Sequence, residues 1–173
     1  AERPAGELRL DAEQIGYEDY RLRQLRLDGR LQNGERASLG LTASGVAAGD
    51  TALGEVTLEA GGTREQHNAS LRVQGPLLDL DLALRGALEG EAWQGLLTSA
   101  VLEASGQRWR LRNPTGIRRT ADGSVELAAH CWVSGEASLC GSDQRLMPEP
   151  RLRYRLRDFQ MGSLAELFPD DFA

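Results

Sequence analysis

Cys131, Cys140, His67 and His130 are the chain's entire stock of thiols and imidazoles. The cysteines flank Trp132-Val133-Ser134-Gly135-Glu136-Ala137-Ser138-Leu139. A two-residue Gly135-Glu136 turn would make this a hairpin, with Ser134 opposite Ala137, Val133 opposite Ser138, Trp132 opposite Leu139 and Cys131 opposite Cys140. Counting outward from the turn, the cysteines fall on a non-hydrogen-bonded pair. Their Cα atoms would lie about 4.5 Å apart, at the short end of the disulfide range. A disulfide is therefore expected, closing a short loop worth roughly 2–3 kcal/mol and implying an oxidising compartment. Two free buried thiols and a metal site with His130 or His67 are the alternatives. Against a metal, the spacing is not Cys-x-x-Cys, and neighbours such as His130 and Cys131 point to opposite faces of a strand.

Other chemistry is hard to assemble. All 20 basic residues are Arg, so there is no phosphate-loop or Schiff-base lysine and no Ser-x-x-Lys pair. Neither histidine sits near a Gly-x-Ser-x-Gly elbow, and no Gly-rich phosphate loop follows a strand. Asp79 and Asp81 look like a carboxylate pair but alternate with leucines, which reads as a solvated strand face. Arg151, Arg153, Arg155 and Arg157 read the same way, with lipid head groups as the alternative. Trp109 and Trp132 read as packing residues, and the sequon Asn68-Ala69-Ser70 as idle. No catalytic residue, metal or cofactor is expected, and the chain reads as a non-enzyme. A net charge of −6 argues against a nucleic-acid partner, which needs a basic face.

What positions these residues is a period of two. Leu78, Leu80, Leu82 and Leu84 alternate with Asp79, Asp81, Ala83 and Arg85; Leu152, Tyr154 and Leu156 alternate with the arginines. The same alternation marks Leu8-Leu10, Leu25-Leu27, Leu39-Leu41, Val56-Leu58, Leu71-Val73, Trp109-Leu111 and Val125-Leu127. Such strands have one apolar and one wet face, and short Gly, Asn, Asp, Ser and Pro clusters between them read as turns. The pattern predicts an all-β chain of roughly eleven strands in a long antiparallel meandering sheet, as one segment over 1–173. One short C-terminal helix is expected at Ser163–Phe168, capped by Ser163 and ended by Pro169. A three-residue loop, Gln32-Asn33-Gly34, would pair Leu27 with Leu39 and Leu25 with Leu41. A Ser105-Gly106 turn would place Leu102 opposite Trp109. No run approaches ~18 consecutive apolar residues, so no helical membrane span is predicted. Aromatics are only 5 %, too few for the interfacial girdles of an outer-membrane barrel.

Trp93-x-Gly95, Trp109-x-Leu111-x-x-Pro114, Cys131-Trp132 and Leu139-Cys140, in that order and followed by Leu164, Leu167 and Phe168, resemble the TamB family. These are the inner-membrane-anchored periplasmic subunits of the translocation and assembly module. The resemblance runs from about Gly6 onward. It implies an open, taco-like β groove between the inner and outer membranes, holding phospholipid acyl chains or unfolded outer-membrane protein clients such as autotransporters. The membrane anchor and the contact with the barrel protein TamA are expected in other parts of the full-length protein, so 1–173 is expected to be an internal segment. The groove residues are expected to be Leu25, Leu27, Leu39, Leu41, Val56, Leu58, Leu71, Val73, Leu78, Leu80, Leu82, Leu84, Trp109, Leu111, Val125, Leu127, Leu152, Tyr154 and Leu156. A structural β-solenoid stalk or adhesin-like segment, closed around its core, would show the same alternation.

The hairpin makes a prediction. Protein recovered unreduced from an oxidising compartment and then denatured should titrate with essentially no free thiol. Two reactive thiols per chain would contradict the pairing.

Overall fold

The computed structural model describes residues 4–159. Its regular structure is all β, in fourteen strands. The long ones are β1 (Gly6–Tyr17), β2 (Tyr20–Gln32), β3 (Arg36–Ala48), β4 (Thr51–Gly62), β5 (His67–Gln74), β6 (Leu78–Glu89) and β7 (Ala92–Ala104). Shorter ones follow: β8 (Gln107–Leu111), β9 (Thr115–Arg119), β10 (Val125–Leu127), β11 (His130–Ser134), β12 (Ala137–Gly141), β13 (Gln144–Met147) and β14 (Tyr154–Arg157). All belong to one open antiparallel sheet, with β1 at one end of the strand order and β14 at the other. The helix expected at Ser163–Phe168 lies outside the described residues.

The alternation counts passes of the chain rather than strands. One half of β7 pairs β8 through Val101–Ala104, and the other half pairs β9 through Trp93–Leu97. β11 then pairs β8 while β10 pairs β9, and β12 and β13 repeat the split. Thus β8/β9, β10/β11 and β12/β13 are each one pass broken in two. Seven unbroken passes, three broken ones and β14 make eleven. The break in the first falls at Arg112-Asn113-Pro114, where proline has no N–H for the ladder. A polar seam bridges the breaks. Arg112 N–H donates to the Cys131 carbonyl (2.8 Å) and Ala128 N–H to the Gly116 carbonyl (2.8 Å). Ala129 N–H donates to Asp143 Oδ1 (2.8 Å), and the Thr115 hydroxyl to the Ala128 carbonyl (3.2 Å). Thr115, His130 and Gln144 are buried along this seam.

Two predicted hairpins hold. The Ser105-Gly106 turn puts Leu102 opposite Trp109, and the Gly135-Glu136 turn gives all the predicted pairs. Cys131 and Cys140 are disulfide-bonded with Cα atoms 4.1 Å apart. The third register is corrected. Gln32 pairs Arg36, so the loop is Asn33-Gly34-Glu35; Leu27 meets Leu41, Leu25 meets Ala43 and Leu39 meets Gly29. Asn33 and Gly34 both adopt positive φ (52° and 64°), which starts the reversal one residue later than a Gln32 loop would. The slip is two residues, so every side chain keeps its predicted face.

Three irregularities bend the long strands. An extra residue on β7, Thr98, faces the step from Ala83 to Leu84 and donates its hydroxyl to the Ala83 carbonyl (3.0 Å). The β3–β4 ladder shifts twice, around Val46. Near the second shift Gly54 has φ +96°, and a Cβ there would lie 2.0 Å from the Gln74 carbonyl oxygen. Gly54→Ala combines a forbidden backbone with a backbone clash, and should cost roughly 2 kcal/mol or more. Gly49→Ala has φ +58° but open space around the new methyl and should cost about 1 kcal/mol. Urea unfolding midpoints at constant m-value test the ranking; equal losses would contradict the close approach.

Candidate apolar trough

Register stacks the leucines into continuous rows. One runs Leu10–Leu27–Leu41–Leu58–Leu71–Leu82–Ala100 across β1 to β7. The next runs Ala12–Leu25–Ala43–Val56–Val73–Leu80–Leu102–Trp109 and reaches β8. A third, Leu8–Gly29–Leu39–Ala60–Ala69–Leu84–Leu97, crosses the β7 bulge without changing face. Directly opposed apolar side chains on one face are the stabilising unit of a sheet. Leu111 meets Trp132, which meets Leu139 and then Leu156, carrying the apolar face to the last strand. Leu127 joins through Ile117 and Gly95, and Val125 through Arg119 and Trp93.

This face is concave at one end of its rows. Leu8 of β1 and Trp93 of β7 line one cavity of ≈ 890 Å³, with Leu31, Leu39, Ala60 and Leu88. Phe159 stacks on Trp109 at the β8 end of the face, ring centroids 6.1 Å apart, and the described residues lay no second layer over the rows of β1 to β7. Among the described residues no side chain is fully buried; Leu8 is 56 % exposed and Leu10 45 %. Mid-trough leucines such as Leu41, Leu58 and Leu71 are half-buried.

The sequence-derived groove residues share this face, with one exception. Leu152 lies in irregular backbone between the Arg145–Arg151 bridge and β14 and is 56 % exposed, because the ladder lapses there. Leu78 and Tyr154 lie at the margins, 36 % and 42 % exposed. The residue that pattern reasoning overlooked is Trp93. Its indole lies over Gly86 and Gly95; a Cβ on either glycine would come within 2.4 and 2.5 Å of the ring. Its N–H donates to His67 Nε2 (2.6 Å), and His67 Nδ1–H donates to the Thr63 carbonyl (3.1 Å). The signal was Trp93-x-Gly95, with Gly86 directly opposite Gly95.

The outer face is charged and internally paired. Arg30 bonds Glu7 (3.1 Å), Arg26 bonds Asp11 (2.9 Å) and Arg72 bonds Asp81 (2.7 Å), each with its cross-strand neighbour. The carboxylate hydrogen bond, then its charge, raises the guanidinium pKa of Arg26 and Arg72. Asp79, the other half of the apparent dyad, accepts the Gly75 N–H (3.2 Å). His130 is buried, bonded through Nδ1 to the Ala128 carbonyl (2.9 Å) and through Nε2 to the Tyr154 hydroxyl (3.0 Å). Both histidines are thus engaged in structural bonds. Among the described residues no group of three or more His, Cys, Asp or Glu has a metal-binding arrangement, and no helix is long and apolar enough to cross a membrane.

A family model described as TamB, N-terminal domain, matches residues 1–173. No solved structure matches the chain.

With Trp109 and Trp132 replaced by Phe, the remaining emission reports Trp93. Gly86→Ala should then shift it to the red and lower the melting temperature by several degrees, because the methyl displaces the indole and breaks its bond to His67. An unchanged spectrum would contradict the packing.

Proposed function

The chain belongs to the TamB family, non-catalytic transport and assembly proteins of the bacterial envelope, and on that premise we propose that its trough carries phospholipid acyl chains as one segment of a periplasmic conduit between the inner and outer membranes. The observation that carries this reading is the apolar floor, unbroken over seven adjacent strands and left without a second layer by the described residues. A closed stalk would interdigitate a second layer against those leucines to interior density. The open, half-exposed rows favour a conduit over a stalk. Acyl chains suit such a floor because they need no fixed partner: contact with leucine is non-directional and scales with area. Eleven passes at ~4.8 Å each would supply roughly 50 Å of trough, part of a periplasmic crossing.

The disulfide supports the periplasm, since such bonds persist in oxidising compartments. Outer-membrane protein clients are the second occupant the family suggests. A strand of such a client would lay its apolar side chains on the same leucines, so the same surface serves both.

Strand β6 provides a control within itself, because Leu80 and Leu82 face the trough while Asp79 and Asp81 face out. A photo-crosslinker at Leu82 in the full-length protein should capture phospholipid in cells several-fold more than one at Asp81, ~3.4 Å along the chain. Leu82→Arg should impair transport, because a charge desolvated by acyl chains costs several kcal/mol. Circular dichroism should show it folded, the site being open to water when empty. Equal capture from both faces would overturn the reading; capture of protein in place of lipid at Leu82 would transfer the trough to clients.

A further inference from the structure

The two histidines have different kinds of partner, and the difference decides what a proton does at each. His130 bonds the Ala128 carbonyl through Nδ1 (2.9 Å) and the Tyr154 hydroxyl through Nε2 (3.0 Å). A hydroxyl both donates and accepts. When His130 takes up a proton the Tyr154 hydroxyl turns, and both bonds survive. His67 has no such latitude. The Trp93 indole N–H is a donor only, and it donates to His67 Nε2 (2.6 Å). Nε2 is therefore the bare nitrogen. The ring proton sits on Nδ1, which donates to the Thr63 carbonyl (3.1 Å), an acceptor only. One state of the ring satisfies both bonds, the neutral Nδ1–H tautomer. A second proton can enter only at Nε2, where it meets the indole N–H.

What this bond holds is a wall of the cavity. An indole has a single N–H, so the bond to His67 is the one hydrogen bond that can fix the ring. Beneath it Gly86 and Gly95 offer backbone alone. Trp93 and His67 both line the ≈ 890 Å³ cavity beside Leu8, Leu31, Leu39 and Leu88. The charged groups around the pair come from several elements. Arg64 and Glu65 lie on the turn before His67, and Glu35 on the β2–β3 turn. Glu7 and Arg30 line the cavity from β1 and β2, bonded to each other (3.1 Å). Arg119 stands opposite Trp93 on β9, and Arg85 is next to Gly86 on the other face. None of them reverses the sign of the effect, which follows from the donor-only indole.

We propose that His67 and Trp93 form a proton-operated switch at this end of the trough: protonation of His67 breaks its bond to Trp93, releases the indole from the cavity wall and weakens the hold on an apolar occupant. Two effects act in the same direction. The ring loses its fixed place in the wall. The imidazolium also puts a charge on that wall, which costs free energy when an acyl chain excludes water from it. The bond is present while the imidazole is neutral and is lost as pH falls through roughly 8 to 5, where histidines change charge. The release of the indole stands on the hydrogen bonds alone; the weakened hold rests on the acyl-chain reading of the trough.

The test follows the Trp93 indole N–H by NMR in the disulfide-intact chain. From about pH 7.5 to about pH 5 its resonance should move upfield and exchange several-fold faster with water, while circular dichroism shows the sheet intact. His67→Gln should abolish the change, because the amide oxygen still accepts the indole N–H and does not titrate. An indole resonance that ignores pH, or a response that persists in His67→Gln, would overturn the switch. Should His67→Gln not fold, the unaltered chain still decides: the His67 ring resonances and the indole N–H should share one midpoint, and separate midpoints would overturn the coupling. The occupant is probed with lysophosphatidylcholine spin-labelled on its acyl chain, whose head group does not titrate in this range. The concentration that broadens the Trp93 resonances by half should rise several-fold on acidification, and should not change in His67→Gln. Equal broadening at both pH values despite a released indole would overturn the effect on binding. Broadening at neither pH would sink the acyl-chain reading at this end, while the indole resonance still decides the switch.

Discussion

Strand register governs everything else in this molecule. A side chain's face is decided by parity, and parity is decided by how each strand pairs with the last. Two independent sets of interactions prefer the same answer. On the inner face Leu27, Leu41, Leu58, Leu71 and Leu82 stand opposite one another. On the outer face Arg26 meets Asp11, and Arg72 meets Asp81. A one-residue slip anywhere would place leucine against charge on both faces at once. These exposed ion pairs are individually weak, and their contribution lies in making wrong registers unfavourable rather than the right one tight. The disulfide holds the short β11–β12 hairpin, where each strand has only five residues to hold the pairing.

A flat sheet with that register would not make a trough. Curvature enters where the ladder is interrupted. Bulges at Val46 and Thr98 insert one residue on one strand, which bends it and increases local twist. Glycines sit where backbone meets backbone or ring: Gly54 against Gln74, Gly86 and Gly95 beneath Trp93. Beyond β7 the bend becomes a break, and the seam of Thr115, His130 and Gln144 supplies hydrogen bonds the ladder no longer provides. Three of the buried polar residues gather along that seam, while the trough rows of β1 to β7 are mostly leucine, alanine and valine.

This division explains what was legible in the sequence. Alternation is a local signal, and the face of nearly every groove residue followed from it, as did the cysteine hairpin and the Leu102–Trp109 pair, whose turns leave one sensible register. The Asn33 hairpin did not follow, because two loops differing by two residues give the same faces; the choice between them rests on the rows of β3 through β6, which a hairpin read alone does not contain. The broken passes were hidden for a similar reason. Pro114 was visible, but its matching interruptions at Ala128-Ala129 and Ser142-Asp143 carry no proline or glycine. Leu152 misled because the arginine alternation runs through a gap in the pairing, between the Arg145–Arg151 bridge and Tyr154. Trp93 was seen as a motif residue, and its place on the floor appears only once Gly86 and Gly95 are known to be opposite.

A single-layer sheet also raises the question of what completes its core. Globular domains bury an apolar sheet face against a second layer; here the described residues supply none, and the leucines rely on lateral contact within rows. Ala43, Ala100 and Leu111 are buried, but most row leucines stay partly in water, so the rows gain only part of the ~25 cal/mol per Å² that full burial would give. On the proposed reading the occupant is the missing layer. Acyl chains lying along the rows would remove the remaining exposed surface and stabilise the filled sheet by mass action. Because the floor is continuous and lacks fixed polar partners, neighbouring positions along it hold an acyl chain almost equally well. The feature that leaves the empty sheet partly solvated is thus the one that would let cargo move along it without a deep trap at any single strand.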